Sequence, residues 1–557
     1  MIDVPVVDVY LWDLERLVKR DLSVKEIEEI LPKVKCEIEE IEDELISYEA
    51  THDRPDLYSA EGLSIALRGL LEVEKGLPRY RVRGVVSKGY VEGPDYRPYV
   101  LFATVYGVSL DDESIRQLMQ LQEKIHITYG RDRRKVSIGL YDLKEIKLPV
   151  KYVAVDPKSV KFPPLDFKEE MTPLEILRKH PKGIAYKHLV EGKEKVPLIV
   201  DAEGKVVSFP PIVNSEEFRV TQETTDILID VTSIDLNAAR KVISIIVTAV
   251  AERGGEIGLI EMQAPWGKEV SPRLDPETIN YDVSLNKKLL GLDLGVSETI
   301  SLLEKMRMNA TALSDETLEV KYPFYRTDIL HQVDIAEEVA MAYGYENIEP
   351  QVMRPLHPGK ENGLEVFTRS IREAMVGLGF LEINNYMMTN TMLMFDKMNI
   401  QRTKIVEVSN PRHEAFHALR NWIIPQLLNT LANSKHAGYP QRIFETGDIV
   451  LVTDKDEILE EKHLAFLLAD KKITLTDGLA ILKALFELYG LKYELKPGEH
   501  PSFIPGRFAE VIVNGTKIGF IGEIHPLILL NFELEVPIVA SELDIDKIRQ
   551  AYLGLLH

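Results

Sequence analysis

Apolar positions change rhythm several times along the chain, and each change predicts a different element. VPVVDVYL reads as a short strand, and LSVKEIEEIL then spaces its apolar residues for a helix opened by Ser23. An acidic stretch, the segment THDRPDL and a second helix over about 59–71 follow. From about Tyr80 to Gln263 the pattern becomes α/β. Runs such as YVLFATVYGV, KVSIGLYDL and DILIDVT predict strands, and helices are expected at 112–128 and 235–253. Pro163–Pro164 and Pro210–Pro211 punctuate this block, and APWGKEVSPRLDP at 264–276 has the content of a linker. Two helical segments, a strand pair and an acidic helix are predicted over about 278–345. The remainder returns to α/β, with helices at 364–378 and 476–489 and strands in GFLEINNYMMT, RIFETGDIVLV and KHLAFLLAD.

The 557 residues exceed what one core organises, so three to five domains are expected at roughly 100–200 residues each. No apolar run nears the ~18 residues that span a bilayer, and the N-terminus carries acids where a signal peptide needs basic residues. The single cysteine, Cys36, excludes an intramolecular disulfide, and the cytoplasm is the expected compartment. A net charge of −22 excludes a generally basic surface for nucleic acid, so any such contact must be a local patch. GRDRRK at 130–135 is the best local run, and it reads equally as a solvated turn.

An ungapped internal repeat reorganises this picture. A shift of 272 residues lays DLSVKEIEEIL (21–31) on DLGVSETISLL (293–303), Arg54 on Arg326 and Asp56 on Asp328, with ten identities in 37 positions. The chain is therefore expected to carry two copies of one small helix–strand module. The second copy holds four carboxylates in eleven residues: Asp328, Asp334, Glu337 and Glu338. Helix capping accounts for Asp334 and one Glu. In the first copy, however, Gly62, Ile65 and Ala66 stand opposite Asp334, Glu337 and Glu338, so the scaffold does not need the extra acids. Positions 334, 337 and 338 share a helical face, and clustered carboxylates require protonation, pairing or a cation. All-oxygen ligation suits Mg²⁺ or Ca²⁺, and Arg326 is an alternative partner.

YPFYRTDILHQVDIAEEVAMAYGYENI, with YDVSLNKKLLGLDLGVSETISLLEKM and THDRPDLYSAEGLSIALRGL, closely resembles the beta subunit of phenylalanine–tRNA ligase (phenylalanyl-tRNA synthetase), of the archaeal and eukaryotic type. The resemblance spans essentially the whole chain. It implies an α/β and α+β multidomain protein: an N-terminal module at 1–84, an editing domain at 85–265, a second copy of the module at 269–345, and an inactive class II synthetase-like antiparallel-sheet domain at 346–557. It implies an α₂β₂ ligase with tRNA(Phe), in which the alpha subunit binds ATP and phenylalanine. It also implies Mg²⁺ held by Asp328, Asp334, Glu337 and Glu338.

A class II active site needs an Arg two positions before a motif 2 Glu, yet Ile443 precedes Glu445 at that spacing, and KIGFIGEIHP (517–526) lacks an Arg. Without these cations nothing offsets triphosphate charge. NPRHEAFHALRNWIIPQLLNTLANSKH (410–436) reads as a loop and helix for core packing or a partner interface. For hydrolysis of mischarged tyrosyl-tRNA, the resemblance points to Asp230, with Asn214, Ser215 and Thr232 nearby. An apolar pocket cannot strongly reject an analogue that only adds a hydroxyl, so tyrosine needs a second sieve. Tyr141 stands where eukaryotic relatives carry a His, which argues against an imidazole mechanism. A free-standing aminoacyl-tRNA hydrolase and a nucleic-acid-binding scaffold are the competing readings. The first leaves the repeat and the C-terminal fold unexplained, and the net charge weighs against the second.

Overall fold

The structure is a computed structural model that describes residues 5–353 and 357–555. The chain forms two compact units divided between Val352 and Met353. It is a mixed α/β multidomain protein with several antiparallel sheets. Among the described residues no helix is long and apolar enough to cross a membrane.

The repeat is physical. The first copy runs strand Val6–Tyr10, helix Val24–Ile30, hairpin Cys36–Glu42 and Leu45–Ala50, helix Ala60–Leu70. The second runs strand Glu277–Asp282, helix Val296–Lys305, hairpin Asn309–Ala312 and Thr317–Tyr322, helix Gln332–Tyr343. Each three-stranded sheet places its last strand in the middle. Even the register is shared, because Tyr10 faces Leu45 and Asp282 faces Thr317, both displaced by 272. The copies also pack reciprocally. Lys35 reaches the acidic helix of the second copy, whereas its counterpart Arg307 lies against Gly69 of the first copy's helix.

Three expectations change here. The acidic stretch is the hairpin of the first copy. Ile38 and Ile41 are three apart, which mimics a helix, but a bulge between Ile38 and Glu40 resets the pleat. An additional helix, Leu11–Val18, follows the first strand. The supposed linker at 264–276 contains the strand Gly267–Ser271, which pairs with Glu256–Ala264, so the central sheet continues past residue 265.

That central sheet has ten strands and begins at Val82. Strand Asp226–Ser233 lies between Tyr99–Tyr106 and Val136–Asp142, and the largely buried helix Leu236–Glu252 covers the sheet. Such strands, buried on both faces, read as continuous apolar runs, which is why DILIDVT was recognisable.

In the second unit a seven-stranded sheet carries cores on both faces. Helices Gly363–Gly377, Leu475–Leu488 and Ile545–Leu553 supply one core, and Ile424–Asn433 supplies the other through Ile424, Leu427, Leu428 and Leu431. The packing role expected for 410–436 is thus visible. GFLEINNYMMT is not one strand: only Leu381–Glu382 and Met388–Thr389 pair. Between them, Asn385 turns to bond Glu445 and Thr430.

Candidate active site and acidic motif

Alternation along Asp226–Ser233 points Asp230 and Thr232 to the same face of the central sheet. Directly across the ladder from Asp230 lies Gly139. A Cβ there would sit 1.9 Å from the Tyr141 hydroxyl oxygen and 2.3 Å from Asp230 Oδ1. The missing side chain is what lets Tyr141 lie over its own strand and donate its hydroxyl proton to Asp230 Oδ1. Asp230 Oδ2 has no hydrogen-bond partner among the described residues, so it is available to water or a ligand.

Both groups are fully buried. Burial pushes the Asp230 carboxyl up to about 7, against the opposing effects of the Tyr141 hydrogen bond and the Arg97 charge. Burial and the Asp230 charge also raise Tyr141 well above its ordinary value, so it remains a donor. Arg97 is buried and donates to Thr232 Oγ1 at 2.9 Å and to the Thr232 and Arg133 carbonyls at 2.9 and 3.1 Å. Burial pulls its guanidinium down to about 10.

A cavity of about 180 Å³ opens onto Asp230. An apolar cavity of about 150 Å³ holds benzene, so this space matches a single aromatic ring. Asn214, Ser215, Tyr141, Ser208 and the Pro210–Pro211 turn line it, with Met119, Leu140 and Phe218 as apolar wall. The Ser215 hydroxyl is buried and has no hydrogen-bond partner among the described residues. Arg133 supports the turn by donating to the Pro211 and Ile212 carbonyls at 3.3 and 3.2 Å. It comes from GRDRRK, whose Arg131, Asp132 and Arg133 all take positive φ. That run is a tight turn with one arginine tucked into the cavity wall.

Three of the four expected residues, Asp230, Asn214 and Ser215, therefore meet at one cavity. Thr232 does not line it, because its hydroxyl is held by Arg97. No histidine lines the cavity among the described residues; His126 is buried nearby on its helix, lowered to about 4 by burial, and accepts from Ile138 N. Arg97 and Gly139 were not singled out from the sequence, and Arg133 only within the GRDRRK run, although a lone glycine in an apolar strand marks a close approach. Replacing Gly139 with Ala should displace Tyr141 and lower the unfolding free energy by about 1–3 kcal/mol, read by denaturant unfolding.

The acidic motif is arranged otherwise than a cation cage. Arg326 donates to both oxygens of Asp328 at 2.8 and 2.6 Å and to Glu338 at 2.5 Å. Arg54 and Asp56 form the same fork in the first copy, at 2.9 and 2.8 Å. Lys35 Nζ lies 2.9 Å from Glu337 and 3.9 Å from Asp328. Asp334 accepts from the backbone N–H groups of Leu330 and His331 at 2.7 Å each, closing a capping box. Burial alone would raise Asp328, but Arg326 holds its carboxyl below the usual range. Among the described residues, only Glu461, His463 and Asp544 bring three potential ligand atoms within 4.8 Å of one another. As arranged, the four acids of the motif do not fit a shared magnesium ion, since each is held by Arg326, Lys35 or backbone N–H groups. The Glu461 group is itself charge-balanced, since His463 bonds Glu461 and Glu542 while Lys547 pairs with Asp544.

In the second unit Glu445 is buried and accepts from Arg420 at 2.6 Å and Asn385 at 2.8 Å. Ile443 packs in the core. Gly519 and Gly522 serve close packing, since a Cβ at either would meet backbone oxygens of Glu542 or Arg507.

Residues 350–545 match the family described as phenylalanyl tRNA synthetase beta chain CLM domain, 279–345 the tRNA synthetase B5 domain, and 109–248 the B3/4 domain. The phenylalanine–tRNA ligase beta subunit of Thermofilum pendens is 59% identical over 554 residues, covering 99% of each chain. That of Pyrococcus furiosus is 42% identical over 549 residues, 97% of this chain and 99% of its own. A crystal structure of an N-terminal fragment of the phenylalanyl-tRNA synthetase beta-subunit from Pyrococcus horikoshii is similar with a TM-score of 0.59 and 42% identity, covering 61% of this chain and all of that one.

Proposed function

The chain belongs to the phenylalanine–tRNA ligase beta-subunit family, and we propose that within the ligase it hydrolyses tyrosyl-tRNA(Phe) made in error. The observation that carries this reading is a buried carboxyl, raised to about 7, facing a cavity the size of one aromatic ring. The chemistry needs only this chain. Ionised Asp230, with Oδ1 fixed by Tyr141, takes a proton from water through Oδ2 as the water oxygen bonds to the ester carbonyl carbon. The tetrahedral species then breaks its bond to the ribose oxygen, which takes the proton back, releasing tyrosine and tRNA. The free Ser215 hydroxyl supplies a donor to the ligand, and binding such a group compensates its burial. Lys182, also in the wall and in no ion pair among the described residues, favours an anionic terminal nucleotide, whereas Arg219 is held by Asp166 and Glu216.

The wider reading follows the family. We place this chain in a cytoplasmic α₂β₂ ligase whose alpha subunit binds ATP and phenylalanine, with the domain division 1–84, 85–265, 269–345 and 346–557 as its working frame and the second domain widened to take in the sheet strands Val82–Glu92 and Gly267–Ser271. The second unit is read as a class II-like fold without catalysis. Its motif 2 carboxylate is consumed by Arg420, and no arginine stands two positions before it. The chain alone should therefore give no phenylalanine-dependent ATP–pyrophosphate exchange, and adding the alpha subunit should restore it. Exchange by this chain alone would overturn the assignment. Full-length relatives, matched over 99% of this chain, disfavour a free-standing hydrolase.

A further inference from the structure

A second cavity, of about 450 Å³, lies in the first unit where the N-terminal module, the segment around Pro78–Arg81, the end of helix Leu236–Glu252 and Arg307 converge. Seven cationic side chains line it against two carboxylates, Glu74 and Glu252, in a chain whose net charge is −22. Its floor is made of buried arginines. Arg253 is neutralised from behind by Asp13 and Glu61, and Arg68 bonds Glu252 at 2.8 Å. Among the described residues, Arg68 Nε and Arg307 Nε and Nη2 are buried and form no hydrogen bond. Glu74 is 3.4 Å from Arg68 Nε and 3.2 Å from Arg307 Nη2, but it is misaligned for both. On the rim, Lys19 and Arg79 are exposed and make no ion pair among the described residues, and Arg81 bonds only the Gly254 carbonyl.

Unpaired buried guanidinium N–H groups are costly, and a surplus of cations in an acidic chain is self-repelling unless an anion joins them. Planar guanidinium forks match phosphate oxygens, and the cavity lies within the usual ~300–1,000 Å³ of ligand sites, which favour domain junctions. We propose that this cavity binds a ligand carrying adjacent phosphate groups. The floor arginines hold one phosphate, and Lys19, Arg79 and Arg81 hold the next. The site is separate from the Asp230 cavity and does not rest on the hydrolytic reading.

The test is calorimetric titration of the full chain with sodium tripolyphosphate at low salt. One site per chain is expected. Lys19→Glu with Arg79→Glu, both at exposed positions, should weaken it by about tenfold or more. Lys158→Glu with Lys168→Glu, also exposed and carrying the same charge change, should not. Absence of binding to the unaltered chain, or equal weakening in both double variants, overturns the proposal. Competition by a tRNA transcript identifies an RNA backbone as the source of the phosphates, and lack of competition identifies a free oligophosphate.

Discussion

Asp230→Asn lowers the hydrolysis of preformed tyrosyl-tRNA(Phe) by about 10²–10³-fold, as expected for loss of a positioned general base. The reaction catalysed by the unaltered chain rises with pH through about 7, where the buried carboxyl ionises, and the variant loses that rise. The same group affects stability in the opposite sense. Its folded value lies above its unfolded value near 4, so between about pH 4 and 7 the folded state binds more protons. The Asp230 contribution is therefore fully present below about pH 4 and is lost as pH rises through about 7. Asp230→Asn removes this slope, so variant and parent converge in stability below about pH 4, diverge between about pH 4 and 7, and stay apart above 7 in favour of the variant. Hydrolysis assays across pH, paired with denaturant melts, read both effects. Full activity in Asp230→Asn would sink the catalytic assignment, whereas loss of activity with an unchanged pH profile would demote Asp230 to a positioning role.

The two candidate sites differ in how far the sequence disclosed them. The repeat was legible because two copies share one register, so Arg54–Asp56 and Arg326–Asp328 could be matched by counting alone. Arg326 was legible as an alternative partner for the acids, but the geometry of the fork was not, since it depends on the backbone turning Arg326 back toward both Asp328 and Glu338. Lys35 was invisible for a different reason: it lies roughly 300 residues before the acid it pairs with, and only packing between the copies joins them. At the other site, Asp230, Asn214 and Ser215 could be chosen by position within the family. The decisive partner was across a strand. Tyr141 was marked only by the His it replaces, and Gly139 looks like an ordinary position of an apolar strand until the ladder sets it opposite Asp230. The hairpin read as an acidic stretch failed because a bulge broke the two-residue period that would have marked it.

The fork at Arg326 carries the second large effect. Arg326, Asp328 and Glu338 are nearly fully buried at their side chains, at 3%, 4% and 1% exposed. Arg326→Met leaves two carboxylates without their shared partner, and breaking a buried pair from one side costs about 3–5 kcal/mol. The loss should be read as a lowered denaturant midpoint with unchanged slope. Asp328, held low by Arg326 despite burial, supports folding above the usual carboxylate range near pH 4 and loses that support as pH falls. The Met variant should lose this acid sensitivity. It should also acquire an ion requirement: with the guanidinium gone, the freed carboxylates of Asp328 and Glu338 become oxygen ligands, and millimolar Mg²⁺ should restore part of the stability. In the unaltered chain Arg326 and Lys35 already pair Asp328, Glu337 and Glu338, and backbone N–H groups hold Asp334, so chelation with EDTA should leave the midpoint unmoved. A large EDTA effect on the unaltered chain would instead show that an ion, and not Arg326 with Lys35, balances the motif.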